Sequence, residues 1–127
     1  MVLRSSDVLD AEVKDSRRVT FGEVEDFVVD FDAGRVAYVA VGTGGFLGIG
    51  ESQVAIPWTA MKWSGEKDKF FTVNADRKTL ERSVEFDEKR FSDPNYIRSI
   101  YSVYGLEFDK KMIDKKMDPG YDRRTQP

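Results

Sequence analysis

The sequence predicts a mainly β protein in which a small antiparallel barrel or sandwich is followed by short helices. About six short apolar segments precede residue 74, with turn-forming residues at intervals of roughly 8–12 residues, and this spacing is typical of such folds. From residue 76 onward, capping residues and helical periodicity replace the alternating pattern. The length of 127 residues suits one domain and a tail.

The strand predicted at residues 22–30 has a fault in its alternation. Val24 lies on one face, and the other large apolar residues fall on the opposite face: Phe27, Val29 and Phe31. A β-bulge near Glu25 and Asp26 would bring all four side chains to one inward face.

The strand is followed by a predicted hairpin turn at residues 32–34, which read Asp-Ala-Gly. Asp30, Asp32 and Gly34 also match the start of a calcium loop. Such a loop needs a further ligand before its glycine and a glutamate at its twelfth position, where this chain has Val41. The sequence therefore favours the turn.

The next segment, residues 35–41, is apolar on both faces and includes Tyr38. A strand of this kind is covered on both sides. One side faces the core of the sheet, and the other requires a helix or a second chain.

A glycine-rich segment at residues 42–50 follows, and it carries Phe46, Leu47 and Ile49. Neither a Walker loop nor a dinucleotide loop fits, because no Gly-Lys-Ser/Thr ending is present and the next segment, residues 53–56, reads as a strand. We interpret the segment as a strand connection whose three apolar side chains either cap a core or contact another chain.

Two helices are predicted after the strands. Asp76 is a candidate cap for the first, and Asp93 followed by Pro94 begins the second. One apolar face of the second helix contains Ile97, Ile100, Tyr101 and Tyr104, and Gly105 ends it. We favour packing of this face on the chain's own sheet; the alternative is docking on a second subunit.

Composition excludes several classes of function. The net charge of −3 argues against binding nucleic acid through its phosphates. The chain has no cysteine and no histidine, which excludes thiolate and histidine chemistry and the usual zinc ligands. No signal peptide and no apolar run of about 18 residues is found. We expect a cytoplasmic protein without a cofactor, a metal or direct membrane insertion.

Four segments together resemble the PRC-barrel family, named for the cytoplasmic domain of the photosynthetic reaction centre H subunit. They are residues 22–30, 34–36, 44–50 and 54–61. The resemblance implies a small, strongly bent antiparallel β-barrel of the PRC type, with no catalytic site, that makes protein contacts. It covers roughly residues 3–82, and the helix at residues 93–105 resembles an extension of stand-alone bacterial members.

We therefore expect a PRC-barrel domain at residues 1–82, a helical extension at 83–108 and a charged, flexible tail at 109–127. The predicted function is a non-catalytic interaction or assembly module that binds protein partners and forms a homo-oligomer. The candidate partner-binding residues are the large apolar side chains noted above: Tyr38, Phe46, Leu47, Ile49, Tyr101 and Tyr104.

Two alternatives remain open. The first is a hydrolase that uses a carboxylate pair from the acidic set Glu23, Glu25, Asp26, Asp30 and Asp32. Alternating acids on a strand are more often its solvated face. The second alternative is a small-ligand barrel, although so few strands normally fill their own interior with side chains.

Overall fold

The computed structural model describes residues 1–44, 52–65 and 67–108. Six strands form one sheet in the order β4-β3-β2-β1-β6-β5. The elements in chain order are α1 (Ser5–Val8), β1 (Glu12–Lys14), β2 (Thr20–Asp30), β3 (Arg35–Gly42), β4 (Gln53–Pro57), a 3-10 turn (Trp58–Ala60), β5 (Met61–Trp63), β6 (Phe70–Val73), α2 (Arg77–Glu81) and α3 (Pro94–Ser102). The mainly β prediction is confirmed.

The prediction of a wholly antiparallel barrel is wrong, because β1 and β6 pair in parallel. The reason lies in the strand directions. β1 to β4 alternate in direction, and the chain passes through the 3-10 turn Trp58–Ala60 without reversing, so that β5 continues in the direction of β4. β6 is antiparallel to β5 and must therefore run with β1.

The two ends of the strand order, β4 and β5, are joined by only three residues. The four steps from Pro57 to Met61 span about 14 Å at most, so the sheet curls strongly to bring its edges together there. No strand pair links β4 to β5 among the residues described, and the sheet is therefore curled and open rather than closed by hydrogen bonds.

The predicted bulge in β2 is confirmed, since the register with β3 shifts between Val24 and Asp26. A second shift, between Val28 and Val29, was not predicted. Val24 is fully buried, but Val29 is 54% exposed and Phe31, just past the strand, is 84% exposed. The expectation that Val29 and Phe31 point inward is therefore wrong: both lie at the hairpin end of β2, past the side chains that the first core buries, and the second shift places its extra residue, Ala37, in β3.

The helices follow their predicted caps. The Asp76 carboxylate accepts a hydrogen bond from the Thr79 amide at 2.9 Å, and the Asp93 carboxylate accepts one from the Asn95 amide at 2.8 Å. α3 ends at Ser102, earlier than predicted, and Gly105, with a φ of 68°, closes the turn that follows it.

β3 is covered on both faces, as predicted. One core contains Val39 and Val41 together with side chains from the other strands, including Phe21 and Val73. The second core lies on the other face and is made by Ala37, Tyr38, Ala55, Tyr96, Ile97, Ile100 and Tyr101. α3 therefore packs on the chain's own sheet, the arrangement that its periodicity favoured.

Tyrosine hydroxyls attach the segment after residue 82 to the sheet and brace it internally. Tyr101 donates to the Ala37 carbonyl, and Tyr96 donates to the Glu85 carbonyl at 2.5 Å. Residues 84–86 also line the β4 edge, where the Ala55 amide donates to the Val84 carbonyl and the Phe86 amide to the Gln53 carbonyl, both at 2.8 Å. The extension thus shields an edge strand as well as a face.

Gly22 and Gly42 let β2 and β3 approach closely. A Cβ on Gly22 would collide with the Gly42 carbonyl oxygen and would lie 2.7 Å from a methyl group of Val41. Since the obstacle is backbone, a side chain here requires the strands to separate.

We predict that Gly22→Ala destabilises the fold by about 1–3 kcal/mol, because the added methyl group overpacks a strand pair. Urea unfolding followed by circular dichroism measures the change. Glu23→Ala, at an exposed neighbouring position, is the control and should change stability by less than about 0.5 kcal/mol. Equal effects of the two changes would contradict the close-packing argument.

Ionisation of Tyr104 should lower the free energy of unfolding at alkaline pH. Burial raises the pKa of its phenol from 10.0 to about 12. Between these values the phenol ionises in the unfolded chain but stays protonated in the folded one, so stability is intact below pH 10 and falls as pH rises toward 12. Tyr104→Phe should therefore reduce the loss of stability between pH 8 and pH 11, measured by urea unfolding.

Ser83→Ala is the matched control for this prediction. Its hydroxyl lies 2.6 Å from the Tyr104 hydroxyl, so the change removes the same hydrogen bond, worth about 1 kcal/mol, but keeps the titrating phenol. Ser83→Ala should lower stability at every pH and retain the alkaline slope. A slope that Tyr104→Phe leaves unaltered would rule out this phenol as its source.

Candidate partner-binding surface

The predicted partner-binding residues fall in different places. Tyr38 and Tyr101 are 0% and 2% exposed and belong to the second core, beneath α3. Tyr104 is half-buried, packs against the first core and bonds to Ser83. The three residues of the glycine-rich segment lie outside the described residues: Phe46, Leu47 and Ile49.

Exposed apolar side chains gather elsewhere, beside the β2–β3 hairpin. Phe31 is 84% exposed, Val29 54% and Phe91 47%. All three border one hollow of about 260 Å³, which also contacts Pro94, Ile97 and Phe108. An apolar cluster of this kind is characteristic of an interaction surface rather than of scattered surface residues.

A second hollow of about 390 Å³ continues from the first and shares Val28, Val29 and Phe91 with it. It ends between Asp26 on β2 and Glu88 on the following loop. We call the two hollows together the hairpin groove. One wall is formed by residues 26–31, and the other by residues 86–94 with Phe108.

Hydrogen bonds and ring contacts hold the walls of the hairpin groove. The buried Tyr38 hydroxyl donates to the Phe91 carbonyl at 2.9 Å. Burial raises the pKa of this phenol, so it remains a donor at alkaline pH values at which an exposed tyrosine has ionised. The Tyr38 ring also lies 6.2 Å from the Phe86 ring and 6.3 Å from the Tyr96 ring, centroid to centroid. The second wall is thus positioned by the same core that buries β3.

Phe108 forms the end of the groove near the hairpin. Its ring centroid lies 5.4 Å from that of the Tyr101 ring and 5.4 Å from the central guanidinium carbon of Arg35.

The rim of the hairpin groove is acidic, with Asp26, Asp30 and Glu88 among its lining residues. One Asp30 oxygen accepts a hydrogen bond from the Ala33 amide at 3.1 Å and fixes the turn. The other Asp30 oxygen is buried and accepts no hydrogen bond from the described part of the chain. A buried acceptor in this state favours a cationic or donor ligand.

The acidic residues considered for hydrolysis do not form one cluster. Glu23 and Glu25 border a cleft of about 590 Å³ beside Gly42 and Gln53, whereas Asp26 and Asp30 line the hairpin groove. The Glu25 carboxylate accepts a hydrogen bond from the side-chain amide of Gln53 at 2.8 Å. In the ranges that the structure covers, no three acidic side chains are arranged to hold a metal ion.

The helices of the described residues are too short or too polar to cross a membrane.

Sequence reasoning missed the hairpin groove. Phe31 was assigned to an inward face, and Phe91 lies in a segment with no regular period. One signal in the sequence could have indicated that Phe31 is exposed. It directly precedes an Asp-Ala-Gly turn, and few neighbouring side chains can bury a residue at the tip of a hairpin.

The comparisons with known proteins agree with the resemblance noted in the sequence. A search of curated proteins found no match. The family model described as PRC-barrel domain matches residues 1–80, which is more than half of the chain. Residues that follow the matched region therefore supply the helical side of the second core and most of one wall of the hairpin groove. On this match, the chain belongs to the PRC-barrel domain family.

Proposed function

We propose that this chain is a non-catalytic, cytoplasmic interaction module that binds a second copy of itself through the hairpin groove. The observation that carries the proposal is Phe31, an aromatic side chain 84% exposed at the tip of a hairpin and directly beside an apolar hollow. A protein partner also fits the net charge of −3 better than nucleic acid does.

A twofold axis suits this arrangement. Because Phe31 and the hollow lie side by side, a second copy related by such an axis places its Phe31 in the first copy's hollow and receives the first copy's Phe31 in return. The hollow of about 260 Å³ has room for one aromatic side chain.

The magnitude of the apolar contact indicates a weak, reversible dimer. Burying one phenylalanine side chain contributes about 1.5–3 kcal/mol, and the symmetric dimer contains two such contacts. Val29 and Phe91 add a smaller area. Association costs at least about 4 kcal/mol in lost freedom of motion, so the net affinity is modest.

The acidic rim opposes self-association at low ionic strength. Asp26, Asp30 and Glu88 of the two copies approach one another across the interface. Salt screens this repulsion, with a screening length of about 10 Å at 0.1 M ionic strength and about 3 Å at 1 M. Added salt should therefore strengthen the dimer.

We predict that Phe31→Ser raises the dimer Kd by about tenfold or more, because each 1.4 kcal/mol of lost apolar contact corresponds to a factor of ten. Sedimentation equilibrium of the full chain at high salt, where the rim repulsion is screened, measures the change. Phe31 is exposed, so its substitution leaves the fold intact by circular dichroism.

Two exposed valines give a matched control. Val29 lies in the groove and is 54% exposed, whereas Val19 is 44% exposed and lies outside it. Val29→Ser should weaken the dimer and Val19→Ser should not. A full chain that stays monomeric at high salt and high concentration would defeat the proposal, as would equal effects of the two valine changes.

A further inference from the structure

The hairpin groove has a candidate occupant within the same polypeptide. We propose that residues 110–117 dock in the hairpin groove of their own chain and so limit its access to a second copy. The docking itself follows from the groove and the sequence; its consequence for self-association rests on the proposed function.

The first argument is position. Phe108 lines the groove at its hairpin end, where its ring lies near the Tyr101 ring and the Arg35 guanidinium. Residue 110 is therefore two positions from a side chain that already forms the groove wall.

The second argument is chemical complementarity. Residues 110–117 contain four lysines and one aspartate, a net charge of +3, together with Met112, Ile113 and Met117. The groove has an apolar floor and an acidic rim that includes Asp30 and Glu88. A lysine ammonium is also the kind of donor that the unbonded, buried Asp30 oxygen lacks.

The third argument is reach. Residues 26–31 of the groove wall span about 17 Å at ~3.3 Å per residue, and eight extended residues reach about 26 Å. The segment is long enough to follow the groove from Phe108 to Asp26 and Glu88.

The short connection favours the chain's own segment over that of a second copy. A tether of one or two residues gives an effective concentration in the millimolar range or above. A second copy must compete with this value, so the same weak contacts fill the groove within one chain first.

Paramagnetic relaxation enhancement tests the docking directly. The chain has no cysteine, so Asp114→Cys carries a single spin label without further changes. In the ¹⁵N-labelled full chain at low salt, we expect selective loss of amide signal at Val28, Val29 and Phe31. Changing the four lysines of the segment to glutamate should abolish that loss.

A groove-side change has a matched control. Glu88→Lys and Glu12→Lys alter the net charge equally at exposed positions, but only Glu88 lines the groove. Glu88→Lys should reduce the signal loss and Glu12→Lys should leave it. No signal loss at β2, or a loss insensitive to the lysine changes, would overturn the proposal.

Mixed samples separate the two possible origins of the segment. At low salt and low concentration, where the rim repulsion disfavours the proposed dimer, spin-labelled ¹⁴N chain is added to unlabelled ¹⁵N chain. Signal loss at β2 of the ¹⁵N chain that disappears when the four lysines of the labelled chain are changed to glutamate would mean docking of the segment between copies and would overturn the proposal of docking within one chain.

Self-association is a separate readout. In the variant whose four lysines are changed to glutamate, the segment no longer competes for the groove. This variant should therefore dimerise several-fold more tightly than the unchanged chain at the high salt used above, where rim repulsion is screened. If the spin label shows docking but that variant remains monomeric, the docking stands and the proposed self-association fails.

Discussion

The fold depends on the burial of β3 from both sides. Val39 and Val41 face the core enclosed by the curled sheet, while Tyr38 faces a second core beneath α3. A sheet strand of this composition cannot leave either face in water. The segment after residue 82 therefore covers the second face of β3, and we infer that this segment and the sheet fold as one unit although the family match ends at residue 80.

The tyrosines that close the second core also create the surface on which the proposals rest. The Tyr38 hydroxyl donates to the Phe91 carbonyl, and the Tyr101 hydroxyl donates to the Ala37 carbonyl. These bonds fix the loop that contains Phe91, and α3, against β3. Phe31 is left exposed at the hairpin tip, next to the resulting groove. The groove is thus a product of the extension, and its acidic rim determines which segments it accepts.

Local patterns predicted the elements but not their assembly. The bulge at Glu25, the caps at Asp76 and Asp93 and the two-sided β3 all follow from nearest-neighbour chemistry. The parallel β1–β6 pair depends on the direction in which the chain leaves the turn after Pro57, which periodicity does not report. The hairpin groove joins Phe31 to Phe91, 60 positions apart, and no local pattern records such a meeting.

Native-state hydrogen exchange of the full chain tests the central claim most directly. If α3 and β3 belong to one cooperative unit, the amides of Ile100 and Tyr101 open with the same free energy and the same denaturant dependence as those of Val39 and Val41. If the α3 amides open at a much lower free energy while those of β3 remain protected, the extension is an accessory and the claim is wrong.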